Sequence, residues 1–395
     1  MGGIPLVLYK NPMVLLCVPK ETMSGETRVA ATPETVGKLV KSGLTVQVES
    51  QAGTAASFLD AAFTAAGAQI IDTAGWKAAI GQADIVIKVN KPSTDEISAM
   101  KAGAVFMGFL QPFASADIVQ KLADGKISAL AMELLPRITR AQRMDALSAM
   151  STVAGYKAAL LAANSIGRFM PMLTTAAGTI SPAKAIVIGA GVAGLQAMAT
   201  AKRLGAVVTA FDTRPAAGEQ VKSLGCNFVD MQVSHDQAQD AGGYAKEQSA
   251  EFYKQEQDIL RKYSKDADII ISTALIPGKK APVLITEEMV KEMKPGSVIV
   301  DMSVEAGGNC TLSELGKTVV KHGVTLIGVT NLPATMPVHA SQLYAKTVLA
   351  FLGLICPDGK ALKLDPNDEI IKGSMVTHQG AVVHPAVKDA LAKGK

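Results

Sequence analysis

The sequence predicts an α/β protein made of two Rossmann-like, doubly wound parallel-sheet domains with a cleft between them. Three observations carry this reading. Short apolar runs alternate with helical patterns along most of the chain, and such alternation builds parallel sheets covered on both faces. The series occurs twice, on either side of a long helical stretch at about residues 144–163 that suits a stiff connector. Aromatic residues make up only 4% of the 395 residues, against 35 glycines and abundant alanine, which fits tightly packed layers better than a β-sandwich.

The elements follow in order. Residues 1–12 read as an unstructured extension, and 14–18 as the first strand. Thr32-Pro33-Glu34 starts a helix: threonine can cap the free N–H groups and proline fits the first turn. Strands follow at 45–49, 85–89, 105–110 and 127–131, with helices led by Asp60, Thr73, Ser93 and Ser115. The second series has strands at 184–188, 207–211, 227–229, 269–272, 298–301 and 325–329. Residues 231–246 lack periodicity and contain Gly242-Gly243, so they read as a mobile loop; 245–265 reads as a charged amphipathic helix. The helix at 338–355 is too apolar for a solvent-facing tail and is expected to pack on the first sheet. The first domain is therefore discontinuous, 1–143 plus 337–395, with the second, 144–336, inserted.

Composition excludes several classes. With 48% hydrophobic and 19% charged residues and a mean hydropathy of +0.24, the chain is not a disordered one. Its net charge of +4 is spread and interleaved with acids, without the basic clusters and stacking aromatics of a nucleic-acid binder. No uninterrupted apolar run reaches the roughly 18 residues of a bilayer span, so no direct membrane insertion is expected. Cys17, Cys226, Cys310 and Cys356 lie far apart, which argues against a zinc site or disulfide scaffold and suits a reducing cytoplasm. The five histidines show no ligand spacing, so no metal is expected. No signal peptide is apparent, and Leu6 departs from the myristoylation pattern that Met-Gly-Gly opens.

The clearest chemical signal is Gly189-Ala190-Gly191-Val192-Ala193-Gly194, which joins a buried strand to a helix. Gly189 allows the tight turn, Gly191 lets backbone approach a pyrophosphate, and Gly194 lets helix and strand pack closely. The helix start offers N–H donors to phosphate. Asp212 ends the next strand, 18 residues after Gly194. A carboxylate there accepts from a ribose hydroxyl and repels a 2′-phosphate, favouring NAD over NADP, whereas nearby Arg214 could meet such a phosphate. Thr213 lies between them. The loop Ser272–Gly278, with Ala274 and Leu275, follows another strand end and either lines the cofactor cleft or simply connects strand to helix.

A second unusual segment is Pro136-Arg137-Ile138-Thr139-Arg140-Ala141-Gln142-Arg143-Met144-Asp145. Arg137, Gln142, Asp145 and Ser148 bunch where a cleft is expected. By residue type alone the reading that wins is a solvated helix start, with Asp145 at the positive dipole end. Lys88 ends a strand and Arg28 lies in a loop; each is either an anion-binding group or a surface charge.

Several blocks occur together: Pro19-Lys20-Glu21-Thr22 with Arg28-Val29-Ala30, Met132–Arg137, Ala176-Ala177-Gly178-Thr179, Gly189–Arg203, Gly242–Lys246, Thr273–Gly278 and Val304–Asn309. In combination the chain from Met13 onward resembles the NAD(H)-binding component (domain I) of proton-translocating NAD(P) transhydrogenase. Alanine dehydrogenase is the sister family and the alternative reading. Two departures separate this chain from it: Gln111 stands where alanine dehydrogenases place a catalytic histidine, and Glu305 where they carry an aspartate before Gln-Gly-Gly.

The resemblance implies that Arg137, Asp145 and Ser148, with Ile138 and Thr139, hold the nicotinamide end of NAD(H), and that Gln142 reaches toward NADP(H) on a partner subunit. It implies that Gly243 and Tyr244 lie on a loop closing over nucleotide and that Asp212 holds the adenosine ribose. Val192, Ala193, Thr213, Arg214, Ala274 and Leu275 complete the expected cofactor contacts. Lys88 and Arg28 look like remnants of the sister family's substrate site and receive no role. The expected partners are a second copy in a homodimer, a membrane-spanning proton-channel subunit and an NADP(H)-binding subunit. With the C-terminus ending without a membrane helix, the separate-subunit form is expected, peripheral on the cytoplasmic side of the inner membrane.

Overall fold

A computed structural model describes residues 13–230, 249–276 and 279–393. The expected loop at 231–246, with Gly243 and Tyr244, lies outside the described residues, as does the extension at 1–12. The strands run β1 (Leu15–Val18), β2 (Thr45–Glu49), β3 (Gln69–Ile71), β4 (Ile85–Ile87), β5 (Val105–Gly108), β6 (Ser128–Ala131), β7 (Leu173–Thr175), β8 (Gly178–Ile180), β9 (Lys184–Ile188), β10 (Val207–Asp212), β11 (Asn227–Asp230), β12 (Ile269–Ser272), β13 (Val298–Asp301), β14 (Thr318–Lys321), β15 (Val324–Ile327), β16 (Met375–His378) and β17 (Ala381–Val382). The helices are α1 (Pro33–Lys41), α2 (Asp60–Ala65), α3 (Trp76–Gln82), α4 (Thr94–Ala99), α5 (Ala116–Asp124), α6 (Ala146–Ser165), α7 (Val192–Arg203), α8 (Ala217–Ser223), α9 (Ala250–Ser264), α10 (Glu287–Glu292), α11 (Pro337–Ile355), α12 (Glu369–Ser374) and α13 (Pro385–Lys393).

The chain forms two compact units, residues 1–149 with 336–395, and residues 150–335. The division falls inside α6 rather than before it. In the first unit, strand order is β17-β16-β6-β5-β4-β1-β2-β3, with β1 to β6 parallel. The chain builds outward from β1 through β2 to β3, then returns to the other side at β4. The local signals hold here: Thr32 caps α1 in a reciprocal box with Thr35, and Ser93 does the same for α4 with Glu96.

In the second unit, strand order is β11-β10-β9-β12-β13-β15-β14, and the direction of winding switches between β9 and β12. Alternate residues of these strands enter two different cores. Ala185, Val187, Ile269, Ile271, Val298 and Val300 pack with Ala158, Ala197 and Met198 of α6 and α7. Ile186, Ile188, Ile270 and Ile299 pack with Leu260, Met289 and Val290 of α9 and α10. Burial on both faces is why these strands read as unbroken apolar runs.

Several elements differ from the sequence reading. Helix α6 starts at Ala146, because residues Thr139–Met144 form a 3-10 turn. Helix α3 starts at Trp76 rather than Thr73. The antiparallel strands β14, β16 and β17 were not foreseen, nor was the exposed hairpin β7–β8. Among the described residues two helices, α6 and α11, are long and apolar enough to cross a bilayer by length and composition, although neither holds the uninterrupted apolar run sought in the sequence. Buried residues recur along α11, from Ala340 and Tyr344 to Phe351 and Ile355, as expected of a core helix.

Candidate functional site

In an open parallel sheet, ligands bind outside the carboxyl ends of strands where winding reverses. In the second unit that point lies between β9 and β12, and both strands run there into the predicted motifs. After β9 the chain turns through Gly189 at φ +93°, a conformation only glycine adopts without cost. A Cβ at Gly194 would sit 1.8 Å from the Gly189 carbonyl oxygen, so helix α7 approaches the strand as closely as backbone allows. A Cβ at Gly191 would meet nothing within 4 Å. No side chain caps α7, whose N-cap is Gly191, so its first N–H groups are left to a ligand. An open face at Gly191 and donors at the helix start fit a pyrophosphate.

Asp212 closes β10 beside this turn. Its Oδ2 accepts from Ala190 N at 2.7 Å and Arg214 Nη2 at 2.8 Å; its Oδ1 accepts from Arg214 N and Nε, each at 2.8 Å. Those hydrogen bonds raise the Arg214 pKa and hold the guanidinium on the carboxylate. Arg214 is thus paired with Asp212 at the strand tip. Burial, with the Asp212 charge, lifts the Glu256 carboxyl on α9 to about 8. Val192, Leu275 and Ala274 lie at the turn and at the loop after β12, with Val192 and Leu275 exposed. Thr213 follows β10, half-buried.

In the first unit the Arg137–Ser148 segment is anchored from within. Ala141 and Met144 are buried under the 3-10 turn, and Arg140 pairs with Asp368 at 2.6 Å, the residue that caps α12. Arg137, Thr139 and Gln142 are exposed and Ile138 is half-buried. Asp145 caps α6, accepting from Ser148 N at 2.8 Å and Ser148 Oγ at 2.5 Å. Asp145 thus does the structural work that residue type alone suggested.

Lys88 and Arg28 are not surface charges. Lys88 directly follows β4 and Arg28 lies in the segment between β1 and α1, 1% and 5% exposed. Lys88 pairs with Glu96 at 2.6 Å and Glu21 at 3.9 Å, and Arg28 with Glu26 at 2.6 Å. Burial opposes ionisation of Glu26, yet the Arg28 hydrogen bonds and charge bring its carboxyl down to about 2. Gln111 has φ +49°, and its N–H donates to Glu133 Oε1 at 2.5 Å. Burial raises that carboxyl to about 7. The four cysteines are free and buried, and Cys17 is pushed up to about 12 by burial.

Sequence reasoning missed the residues that brace the site from behind. Thr273 hydrogen-bonds the glycine turn, and buried Asn309, Ser303 and Asp301 hold the loop after β12. The signal available was the Val304–Asn309 block, which carries no chemistry of its own in linear view.

Comparison with known proteins adds to this geometry. Family models described as alanine dehydrogenase/PNT, N-terminal domain, and alanine dehydrogenase/PNT, C-terminal domain, match residues 17–154 and 158–385. The chain is 52% identical over 379 residues to the first of the separate chains of NAD(P) transhydrogenase subunit alpha of Rhodospirillum rubrum, covering 94% of this chain and 98% of that one. It is 30% identical to alanine dehydrogenase 2 of Staphylococcus aureus, covering 94% and 95% of the two chains. The crystal structure of transhydrogenase from Sinorhizobium meliloti is similar with a TM-score of 0.82 at 41% identity, covering 94% of this chain and 99% of that one.

Proposed function

The chain belongs to the alanine dehydrogenase/PNT family, with the role of an NAD(P) transhydrogenase α subunit, and from this premise we propose that it is the NAD(H)-binding subunit of the proton-translocating enzyme. The observation that carries the proposal is the open phosphate-binding turn at the switch point of the second sheet, in a chain far closer in sequence to a transhydrogenase subunit than to an alanine dehydrogenase.

The turn from Gly189 to Gly194 and the α7 N–H groups hold the pyrophosphate, and Asp212 the adenosine ribose. Ala274 and Leu275 border the site. Arg137, Ile138, Thr139, Asp145 and Ser148 hold the nicotinamide end. The bound nicotinamide supplies a hydride. Donor and acceptor rings are alike and no proton moves at carbon, so the protein needs alignment and exclusion of water rather than a general acid or base. Gln111, an amide, suits that requirement; it cannot do the proton transfer that amino-acid oxidation demands. Gln142, exposed on its turn, faces NADP(H) carried by a partner subunit.

Because the two couples are nearly isoenergetic, proton flux acts elsewhere, on NADP(H) binding in membrane and NADP(H)-binding partners. The subunit works as a homodimer docked peripherally on the cytoplasmic side of the inner membrane. Phe169, Met172 and Ile180, exposed at and near the β7–β8 hairpin, offer apolar surface to a second copy.

The test mixes the chain with an NADP(H)-binding partner domain and follows hydride exchange between NADH and an NADP⁺ analogue. Exchange is expected, with no NADH produced from NAD⁺ and L-alanine by the chain alone. Turnover of L-alanine would replace this reading with the alanine dehydrogenase one.

A further inference from the structure

Strands β9 and β12 lie side by side, with Ile188 opposite Ser272. The next residue, Thr273, donates its N–H to the Ile188 carbonyl at 2.8 Å. Its hydroxyl lies 3.0 Å from the same carbonyl and 3.1 Å from that of Gly189. One O–H is thus shared across two successive carbonyls of the glycine turn. The fit is close: a Cβ at Gly189 would stand 2.6 Å from Thr273 Oγ1, and one at Gly194 3.3 Å from it. The hydroxyl therefore wedges the turn from inside.

Thr273 is itself held from behind. Ser272 Oγ donates to Asn309 Oδ1 at 2.6 Å. Asn309 Nδ2 donates to the Ala274 carbonyl at 2.9 Å and to that of Pro282 at 2.8 Å, and Ser303 Oγ also donates to Ala274 at 2.8 Å. Asn309 is 0% exposed, and its own N–H donates to Asp301 Oδ2 at 2.9 Å. Both amide hydrogens and the amide oxygen are used, so Asn309 acts on the loop and is not available to a ligand.

We propose that Thr273 and Asn309 are positioning residues for nucleotide binding: Thr273 presets the phosphate-binding turn, and Asn309 presets the loop that carries Thr273. The inference rests on the nucleotide reading above. A turn already held in its binding conformation need not be ordered when the ligand arrives, so losing the hold weakens binding without removing any contact.

The test compares Thr273→Val and Thr273→Ser with Ser297→Ala in the full chain. Ser297 is the control, since it lies before β13 at the opposite end of the same sheet, and its hydroxyl donates to Ala267 at 3.0 Å. NADH dissociation constants and melting temperatures are measured for each. Thr273→Val is expected to weaken NADH binding about three- to tenfold, the range one neutral hydrogen bond commands. Thr273→Ser should stay within about twofold of the parent, and Ser297→Ala should lose stability without losing affinity. Parental affinity in Thr273→Val, or equal losses in Thr273→Val and Ser297→Ala, overturns the proposal. If the valine variant does not fold, Thr273→Ala carries the same comparison. Failure of the parent chain to bind NADH would instead refute the nucleotide reading.

Discussion

Replacing Gly191 by alanine separates binding from folding. At this position φ is −77°, which any residue adopts, and the new Cβ meets nothing within 4 Å. Alanine caps a helix less well than glycine, costing about 0.5–1 kcal/mol. The stiffer unfolded chain returns about 0.4–1 kcal/mol. The two nearly cancel, so the melting temperature should move by less than about 4 °C. The methyl does, however, fill the open face against which a pyrophosphate would lie. Losing one charge-assisted hydrogen bond from backbone to phosphate, worth about 1.5–3 kcal/mol, weakens binding roughly tenfold to a hundredfold. Gly194→Ala is the contrast. Its Cβ would stand 1.8 Å from backbone oxygen, so helix and strand must part, at about 1–3 kcal/mol or more. NADH fluorescence titration with parallel thermal melts reads both. The reasoning fails if Gly191→Ala binds NADH like the parent, or if it melts as low as Gly194→Ala.

Three other outcomes follow from the same geometry. Asp212→Asn removes the charge that holds Arg214, so preference for NADH over NADPH should fall by at least about tenfold; unchanged preference in paired titrations would rule out that role. Gln142→Asn, on an exposed turn, should slow hydride exchange with the NADP(H)-binding partner while NADH affinity stays near parental, and a large affinity loss would show that it holds NAD(H) instead. Glu133 and Glu256 are raised by burial to about 7 and about 8 from an ordinary 4.5. The folded state therefore holds extra protons between these limits. Their stabilising contribution is full below about pH 4.5 and is lost as pH rises through about 7 and 8. Melting temperature should fall across that window and flatten in the Glu133→Gln, Glu256→Gln double variant; equal slopes would contradict this assignment.

Local physics is legible along the chain itself. The strands at 184–188, 269–272 and 298–301 have the predicted limits, because their central residues are apolar and buried on both faces. The glycine turn and Asp212 are equally plain, since each is set by backbone sterics within a few residues. The antiparallel strands β14, β16 and β17 are not: the first two mix polar with apolar residues and the third is two residues long.

What the amino-acid order settled, then, is everything specified by near neighbours: the parallel layers, the phosphate turn and the acid at the strand tip. Only the folded chain decided which distant groups meet. Thr273 reaches Gly189 across 84 positions, Asn309 reaches Ala274 across 35, and Lys88 is buried beside Glu21 from the far side of the first unit's sequence rather than left on the surface. Hydrogen bonds and ion pairs of that span depend on strand order and register, which a linear pattern does not encode, and they determine how firmly the legible motif is held.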